Sequence, residues 1–481
     1  MQFNSYIFIM AFLPLLIITY FTLNKITPTC GIFVLIIGSA LFYLYGDWYN
    51  AFFLGISILV NYCIAMAIVH SPKKRALLIL DIICNIVTLL CFKYINYFIA
   101  YYNATLEEDQ SPLKAIILPL GISFLTFQQI MYTVNVSQGK ISPNLLDYLA
   151  YILYFPKILM GPLNEPEGFM KQLNDNNLKQ VDWYNISCGI KTFSFGLFKK
   201  VILADTFAAA VNWGYSNLET ATSMDLILIM LSYTFEIYFD FSGYSDMAAG
   251  VSSMLNIQLP INFDSPYKAV SIRDFWKRWH ISLTAFFTKY IYIPLGGSKK
   301  GKSRTYLNTM IVFLVSGIWH GSNWTFILWG FLHGAFSIYD RIFEKQQKKI
   351  NVVVRWGATF LSVNILWLLF RSESIVQWAS ILDKIFTFQD MSVSDGLIRS
   401  FVLPEMAFIL ESLHLVSVNG RVRGFSMLLF ILSGYGICLM PENNYRNLKK
   451  NSWFLLVPSS IAFIWSFLCL SSESVFVYFN F

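Results

Sequence analysis

Apolar runs long enough to cross a lipid bilayer recur along the chain: Ser5 to Leu23, Cys30 to Tyr45, Phe52 to Val69, Ala76 to Tyr102 and Leu113 to Val134. More follow through the middle and C-terminal thirds. Inside hydrocarbon every backbone N–H and C=O must be satisfied by the protein itself, and a helix does this locally. A span needs roughly 20 apolar residues, so the runs predict about 11 to 14 membrane or re-entrant helices. The fold class expected is an all-α polytopic membrane protein. Composition agrees, since 56% of the 481 residues are hydrophobic, 17% aromatic and only 13% charged, a balance foreign to soluble domains. Residues 1 to 24 carry no Lys or Arg ahead of the apolar stretch and no small-residue cleavage site, so the first run is expected to stay as a membrane segment.

The placement of charge says more than the net value of +7. Lys and Arg in short loops mark the cytoplasmic side. Basic clusters stand at "SPKKR" (71–75), "FKK" (198–200), "SKKGKSR" (298–304), "EKQQKK" (344–349) and "NLKK" (447–450). Over the first spans the rule puts Lys25, "PKKR" and "QGK" inside, "GDWYN" and "NATLEEDQ" outside, and the N-terminus outside. The stretch "SESIVQWASILDKIF" repeats apolar residues at helical spacing and is expected to lie along the membrane surface. The seven cysteines sit singly in apolar runs, without C-x-x-C pairs, and read as core-filling thiols; no metal site is expected.

"GGSKKGKS", Gly296 to Ser303, satisfies the phosphate-loop pattern G-x-x-x-x-G-K-S. That pattern binds nucleotide only between a soluble strand and a soluble helix. Here "YIYIPL" precedes and a membrane segment follows, so the stretch is read as a basic cytoplasmic loop. No nucleic-acid partner is expected. The chain also lacks G-x-S-x-G, H-E-x-x-H and dinucleotide fingerprints.

Ionisable side chains within spans cost about 2.5 to 3.5 kcal/mol on insertion scales, so each marks a site or a buried pair. Three clusters qualify. In "TFEIYFDFSGYSDMAAG" (234–250), Glu236 and Asp240 share a helical face, with a break expected around Gly243. The acids either pair with cations of a neighbouring helix or bind substrate. In "SIRDFWKRWHISLTAFFTKYIYIPLGG" (271–297), one continuous helix places Arg273, Lys277, His280 and Thr284 in a cationic stripe, with Asp274 and Arg278 spaced for an ion pair. Such a stripe either rests at the cytoplasmic interface or guides an anionic donor such as coenzyme A. In "VSGIWHGSNWTFILWGFLHG" (315–334), His320 lies 14 residues beyond Tyr306, a rise of roughly 21 Å in a helix. That depth is well inside a hydrocarbon core of about 30 Å. Gly317, Gly321, Gly330 and Gly334 imply close helix packing, and Ser322 or Asn323 is placed to cap a new helix. His333, thirteen residues on, falls nearly on the opposite side of a continuous helix and reads as a packing residue. His70 and His414 have no evident partner.

"YFDFSGYSDMAAG", "NFDSPYKAVSIRDFWKRWHISLTAFFTKYIYIPLGG" and "GIWHGSNWTFILWGFLHG" occur in that order, with "FPKILMGPL" before and "LWLLFRSES" after. In this the chain resembles the membrane-bound O-acyltransferase superfamily, in the branch of bacterial polysaccharide O-acetyltransferases that includes the alginate O-acetylation membrane protein. The resemblance implies a ring of tilted helices around a central tunnel and one membrane domain over residues 1–481. The motifs span about 115–371, and C-terminal helices occupy 372–481. It makes His320 and His280 the catalytic candidates, and adds Arg273, Lys277, Asp240, Trp319 and Asn323 as candidates for substrate binding. Acetyl-coenzyme A from the cytoplasm is the implied donor, with no bound cofactor. An extracytoplasmic acceptor, or a separate SGNH-type transferase, would pass the acetyl group to a cell-surface polysaccharide or peptidoglycan. The location implied is the bacterial cytoplasmic membrane. Lys157 and Met160 stand where the branch more often has Gln and Ala. The alternatives left open are a D-alanyl transfer protein of teichoic-acid modification and a transporter or flippase of an envelope precursor.

Overall fold

A computed structural model describes the chain except for residues 106–111, 404, 406–407, 409–411, 414–418, 440–452, 471–475 and 477–481. His414, "NLKK", most of the acidic loop after Asn103 and most of the closing "VFVYFNF" lie outside the described residues. The described residues form helices and no strand. Two compact units divide them. The first comprises residues 1–193 and 244–260, and the second comprises 194–243 and 261–481.

The first unit holds α1 (Leu13–Asn24), α2 (Pro28–Gly46), α3 (Ala51–His70), α4 (Lys74–Asn103), α5 (Ile122–Ser137), α6 (Leu145–Leu153), α7 (Phe155–Ile158), α8 (Pro166–Leu173) and most of α9 (Trp183–Phe198). Four of the apolar runs read from sequence become helices. The fifth does not begin as one: α5 starts only at Ile122, and residues 112–119 before it are irregular. Two asparagines of α4 satisfy part of that irregular backbone. Asn103 bonds the N–H and C=O of Leu113, and Asn96 those of Ile116, at 2.8–2.9 Å. These bonds supply what a helix would otherwise supply. Lys157, which stands where the branch more often has Gln, is fully buried on α7 with its side-chain nitrogen 3.3 Å from the centre of the Tyr151 ring.

The second unit contains α10 (Asp205–Ser216), most of α11 (Ser223–Met254), α12 (Ile272–Arg278), α13 (Ile281–Phe287), α14 (Lys302–His320), α15 (Trp324–Ile342), α16 (Glu344–Gln347), α17 (Val352–Arg371), α18 (Ile375–Thr387), α19 (Asp395–Arg399), α20 (Asn419–Leu439) and α21 (Leu456–Leu468). Among the described residues six helices are long and apolar enough to cross a membrane: α2, α3, α4, α11, α17 and Val422–Leu439 of α20. The protein is therefore an all-α, multi-pass membrane protein. The amphipathic α18 buries Ile381 and Ile385 and leaves Val376 exposed.

Two sequence expectations are corrected here. α11 runs unbroken for 32 residues through Gly243. A Cβ at Gly243 would sit 2.8 Å from the Gly196 carbonyl of α9, and one at Gly250 would sit 2.7 Å from the Gly189 carbonyl. The glycines thus permit backbone contact between antiparallel helices instead of breaking one. The second correction concerns "FKK". Lys199 and Lys200 are buried, in a π-helical segment spanning Lys199–Ala204, and do not form a cytoplasmic loop. In contrast, Lys299 and Lys300 in the basic loop before α14, and Lys302 at its first position, are exposed, and no strand precedes the loop.

Gly250→Ala is expected to cost about 1–3 kcal/mol by overpacking. Thermal unfolding of the detergent-solubilised protein checks it against Gly55→Ala, where a Cβ meets nothing within 4 Å.

Candidate active site

The α14–α15 hairpin positions the central histidine. A Cβ on Gly317 would lie 2.4 Å from the Phe326 carbonyl, and one on Gly330 would lie 2.4 Å from the Phe313 carbonyl, so the two backbones touch. Gly321 adopts an extended conformation and ends α14, and Asn323 takes the position before α15 without a side-chain capping bond. The 19 residues of α14 span about 28 Å. They carry His320 from the basic loop to the far end of the hairpin, where it is 4% exposed. Its ring is enclosed by Trp319 at 4.6 Å, Phe370 at 5.0 Å and Trp329 at 5.1 Å between centroids.

The helix break changes the place of His333. On one continuous helix it would face away from His320. Because α15 restarts after Gly321–Asn323, His333 instead sits one turn beyond Trp329, with ring centroids 4.6 Å apart. Trp329 therefore has a histidine on each side. Trp276 of α12 donates its indole N–H to His333 Nδ1 at 3.2 Å.

A second correction affects His280. The expected continuous helix stops at Arg278 and resumes at Ile281, and His280 between them has φ of 46°. Backbone groups freed by the break are bonded by the preceding strap: Asp264 N–H to the Arg278 carbonyl and Ile281 N–H to the Asn262 carbonyl, both at 2.9 Å. A non-glycine residue in this left-handed region stores strain and has to be held by its surroundings. Asn262 Oδ1 accepts from the Ser282 hydroxyl at 2.8 Å and from the Ser282 N–H at 3.3 Å, which fixes the amide orientation. His280 Nδ1, 3.2 Å from the same oxygen, must then carry the proton, leaving Nε2 as the basic nitrogen of the neutral ring. His280 is thus turned into the interior, against Phe241, and out of the cationic stripe. The two candidate histidines are linked by a run of rings: Phe241, Phe263, Trp279, Trp367 and Trp329.

Arg273, Lys277 and Thr284 remain together without His280. They line a cavity of about 410 Å³ with Arg341, and its apolar wall includes Trp276, Phe287 and Phe313. Ser316 also lines it, one helical turn before His320 on α14. Trp319 connects the cavity to the histidine, since its ring lies 6.4 Å from Phe287 and 4.6 Å from His320. Arg273 is tethered to Glu344 at 3.3 Å. The hydrogen bond from Lys348, and then that from Arg273, holds the Glu344 carboxyl below the usual carboxylate range. The expected Asp274–Arg278 ion pair is present at 3.0 Å.

Of the remaining candidates, Asn323 is exposed at the hairpin tip. Asp240 is 1% exposed and bonded to Lys200 at 2.8 Å, while Lys200 also meets Asp205 at 2.9 Å. Sequence reasoning anticipated a cation for Asp240 and missed which one, because Lys200 had been counted as a loop residue. It also missed Asn262, Arg341 and the Trp276–His333 bond. No periodicity marks these contacts, which join residues 18 to 68 positions apart. Among the described residues no group of three His, Cys, Asp or Glu could hold a metal.

The profile of the membrane-bound O-acyltransferase family matches residues 74–374. The chain belongs to this family. It is accordingly an O-acyltransferase, which removes the transporter alternative. A peptidoglycan O-acetyltransferase of Helicobacter pylori is 33% identical over 100% of this chain and 97% of its own length. A probable alginate O-acetylase of Pseudomonas syringae is 35% identical over 82% of this chain and 77% of its own. A teichoic acid D-alanyltransferase of Bacillus subtilis is 30% identical over 54% of this chain and 68% of its own.

Lys200→Met leaves Asp240 buried without its lysine and is expected to destabilise the protein by about 3–5 kcal/mol. Adding Asp240→Asn should restore part of that loss, as read from thermal unfolding in detergent.

Proposed function

We propose that this enzyme transfers an acetyl group from acetyl-coenzyme A, taken from the cytoplasm, to an extracytoplasmic hydroxyl acceptor, with His320 as general base. The observation that carries the proposal is the cavity with Arg273, Lys277 and Arg341 on its wall and Ser316 one turn from His320. Phosphate groups suit guanidinium and ammonium donors, and the apolar remainder suits the pantetheine arm. A cytoplasmic donor side is supported by the basic loop before α14, since Lys and Arg in short loops favour the cytoplasm.

In this reading the thioester carbonyl is brought beside His320. His320 takes the acceptor's hydroxyl proton as the oxygen attacks the carbonyl carbon. The C–S bond then breaks, and the thiolate leaves with the proton from the imidazolium. The products are an acetyl ester and coenzyme A. General-base assistance of this kind is worth roughly 10²–10⁴-fold. The rings around His320 exclude water, and Trp319 shapes the approach. His280, with Nε2 as its basic nitrogen, is the second candidate for contact with the reacting groups. Asn323 at the hairpin tip is placed to meet the acceptor, and Asp240 supports the fold through Lys200.

The acceptor class we favour is peptidoglycan or a cell-surface polysaccharide, reached directly or through an SGNH-type transferase, with the enzyme in the bacterial cytoplasmic membrane. Acetyl transfer is preferred to D-alanyl transfer because the acetyl-transferring relatives quoted above match 82–100% of the chain and the D-alanyl one 54%.

His320→Ala is expected to lower ester-linked acetate on wall polymers by about 10²-fold or more while the protein still inserts. Unchanged acetate with normal insertion rules out His320 as the base. Arg273→Ala and Lys277→Ala should raise KM for acetyl-coenzyme A with a smaller change in kcat. Activity with a carrier-protein thioester and none with acetyl-coenzyme A overturns the donor.

A further inference from the structure

We propose that His333 is a positioning residue: it holds the Trp276 indole as the end wall of the donor cavity, and so limits the size of acyl group that reaches His320. The inference rests on the donor reading given above.

His333 is fully buried in the middle of α15. An indole N–H only donates, so the 3.2 Å bond from Trp276 makes His333 Nδ1 an acceptor and puts the neutral ring's proton on Nε2. His333 Nε2 has no hydrogen-bond partner among the described residues. The ring is instead packed among Trp276, Trp329, Phe275 and Phe313. The polar capacity that this imidazole uses is therefore directed at a single indole, on another helix and 57 residues away.

That indole occupies a decisive place. Trp276 lines the cavity, is only partly buried, and packs against Trp329 at 5.7 Å, which in turn packs against His320. Trp276 and Trp329 thus form one path of rings from cavity to histidine, beside the one through Trp319, and Trp276 is the ring facing the cavity. Along α15, Trp329, His333 and Ser337 follow at i, i+4 and i+8 on one face, running from the neighbourhood of His320 to the cavity wall. A Trp side chain facing open space has several rotamers. The bond to Nδ1 selects one and keeps the N–H satisfied. Loss of the acceptor frees the indole to turn and opens the passage.

The test uses the full-length protein in nanodiscs with acetyl-, propionyl- and butyryl-coenzyme A, measuring thiol release with an added oligosaccharide acceptor. One methylene in a fitted pocket is worth roughly 10–200-fold in discrimination. Trp276→Ala and His333→Leu are expected to raise the butyryl-to-acetyl ratio of kcat/KM by about 10-fold or more. His333→Asn, whose Oδ1 can replace Nδ1 as acceptor, should stay near the wild-type ratio. Trp276→Phe keeps the ring and loses the donor, so it carries the same test if His333→Leu folds poorly. Adding His333→Leu to Trp276→Phe should change the ratio no further. An unchanged ratio in Trp276→Ala and His333→Leu, with wild-type activity on acetyl-coenzyme A, overturns the gate alone. So does a uniform loss with all three donors, or His333→Asn behaving like His333→Leu, because either outcome means packing only. A wild type inactive with all three thioesters overturns the donor reading and the gate with it.

Discussion

The contact between Gly317 and Gly330 is the constraint on which the site depends. With no side chain on either residue, the α14 and α15 backbones close on each other, a Cβ at either position falling 2.4 Å from a carbonyl oxygen of the opposite helix. Dispersion and close packing hold such a pair together where lipid offers no hydrophobic driving force between helices. Everything around His320 follows from it. The histidine ends α14, Trp329 on the returning helix meets its ring, and His333 comes one turn later on the same side.

A second requirement is that polar groups inside a membrane protein find partners within it, and the molecule meets this in different ways. Lys200 answers Asp240 and Asp205. Asn96 and Asn103 bond an irregular segment that has no helical ladder of its own. Asn262 braces the broken helix at His280 and receives three hydrogen bonds on one oxygen. Two buried histidines are thereby set in opposite tautomers: His280 donates from Nδ1, and His333 accepts there. Each tautomer is fixed by a single neighbour of known donor or acceptor character. This is how one chain presents a basic nitrogen at one imidazole and uses another to hold a tryptophan.

A separation of roles emerges between the cavity and the deep end of the hairpin. Cations and an apolar wall occur together at the cavity, which on the proposed function is where a charged thioester is gripped and released. Around His320 the lining is aromatic, which on the proposed function keeps water from the transfer step. Ser316 on the cavity wall, Trp319 through Phe287 and Trp276 through Trp329 join these two environments.

Several features were legible in the sequence because they are local. Helix length and apolarity in α2, α3 and α4, the glycine spacing of the hairpin and the Asp274–Arg278 pair each depend on residues a few positions apart, where periodicity and rise per residue suffice. The motif order also carried the family. Other features needed the tertiary structure, for a physical reason. Whether Gly243 breaks a helix or seats one depends on Gly196 being opposite. Whether Lys200 is a loop cation or a buried partner depends on Asp240 arriving beside it. Whether His280 lies on a stripe or turns inward depends on Asn262 bonding the backbone that the break exposes. Each is a contact between distant segments, stabilised only after the chain has packed, and no one-dimensional pattern encodes it. The sequence by itself determined a helical membrane enzyme of this family; packing decided which side chains face His320 and which nitrogen of His280 and of His333 carries the proton.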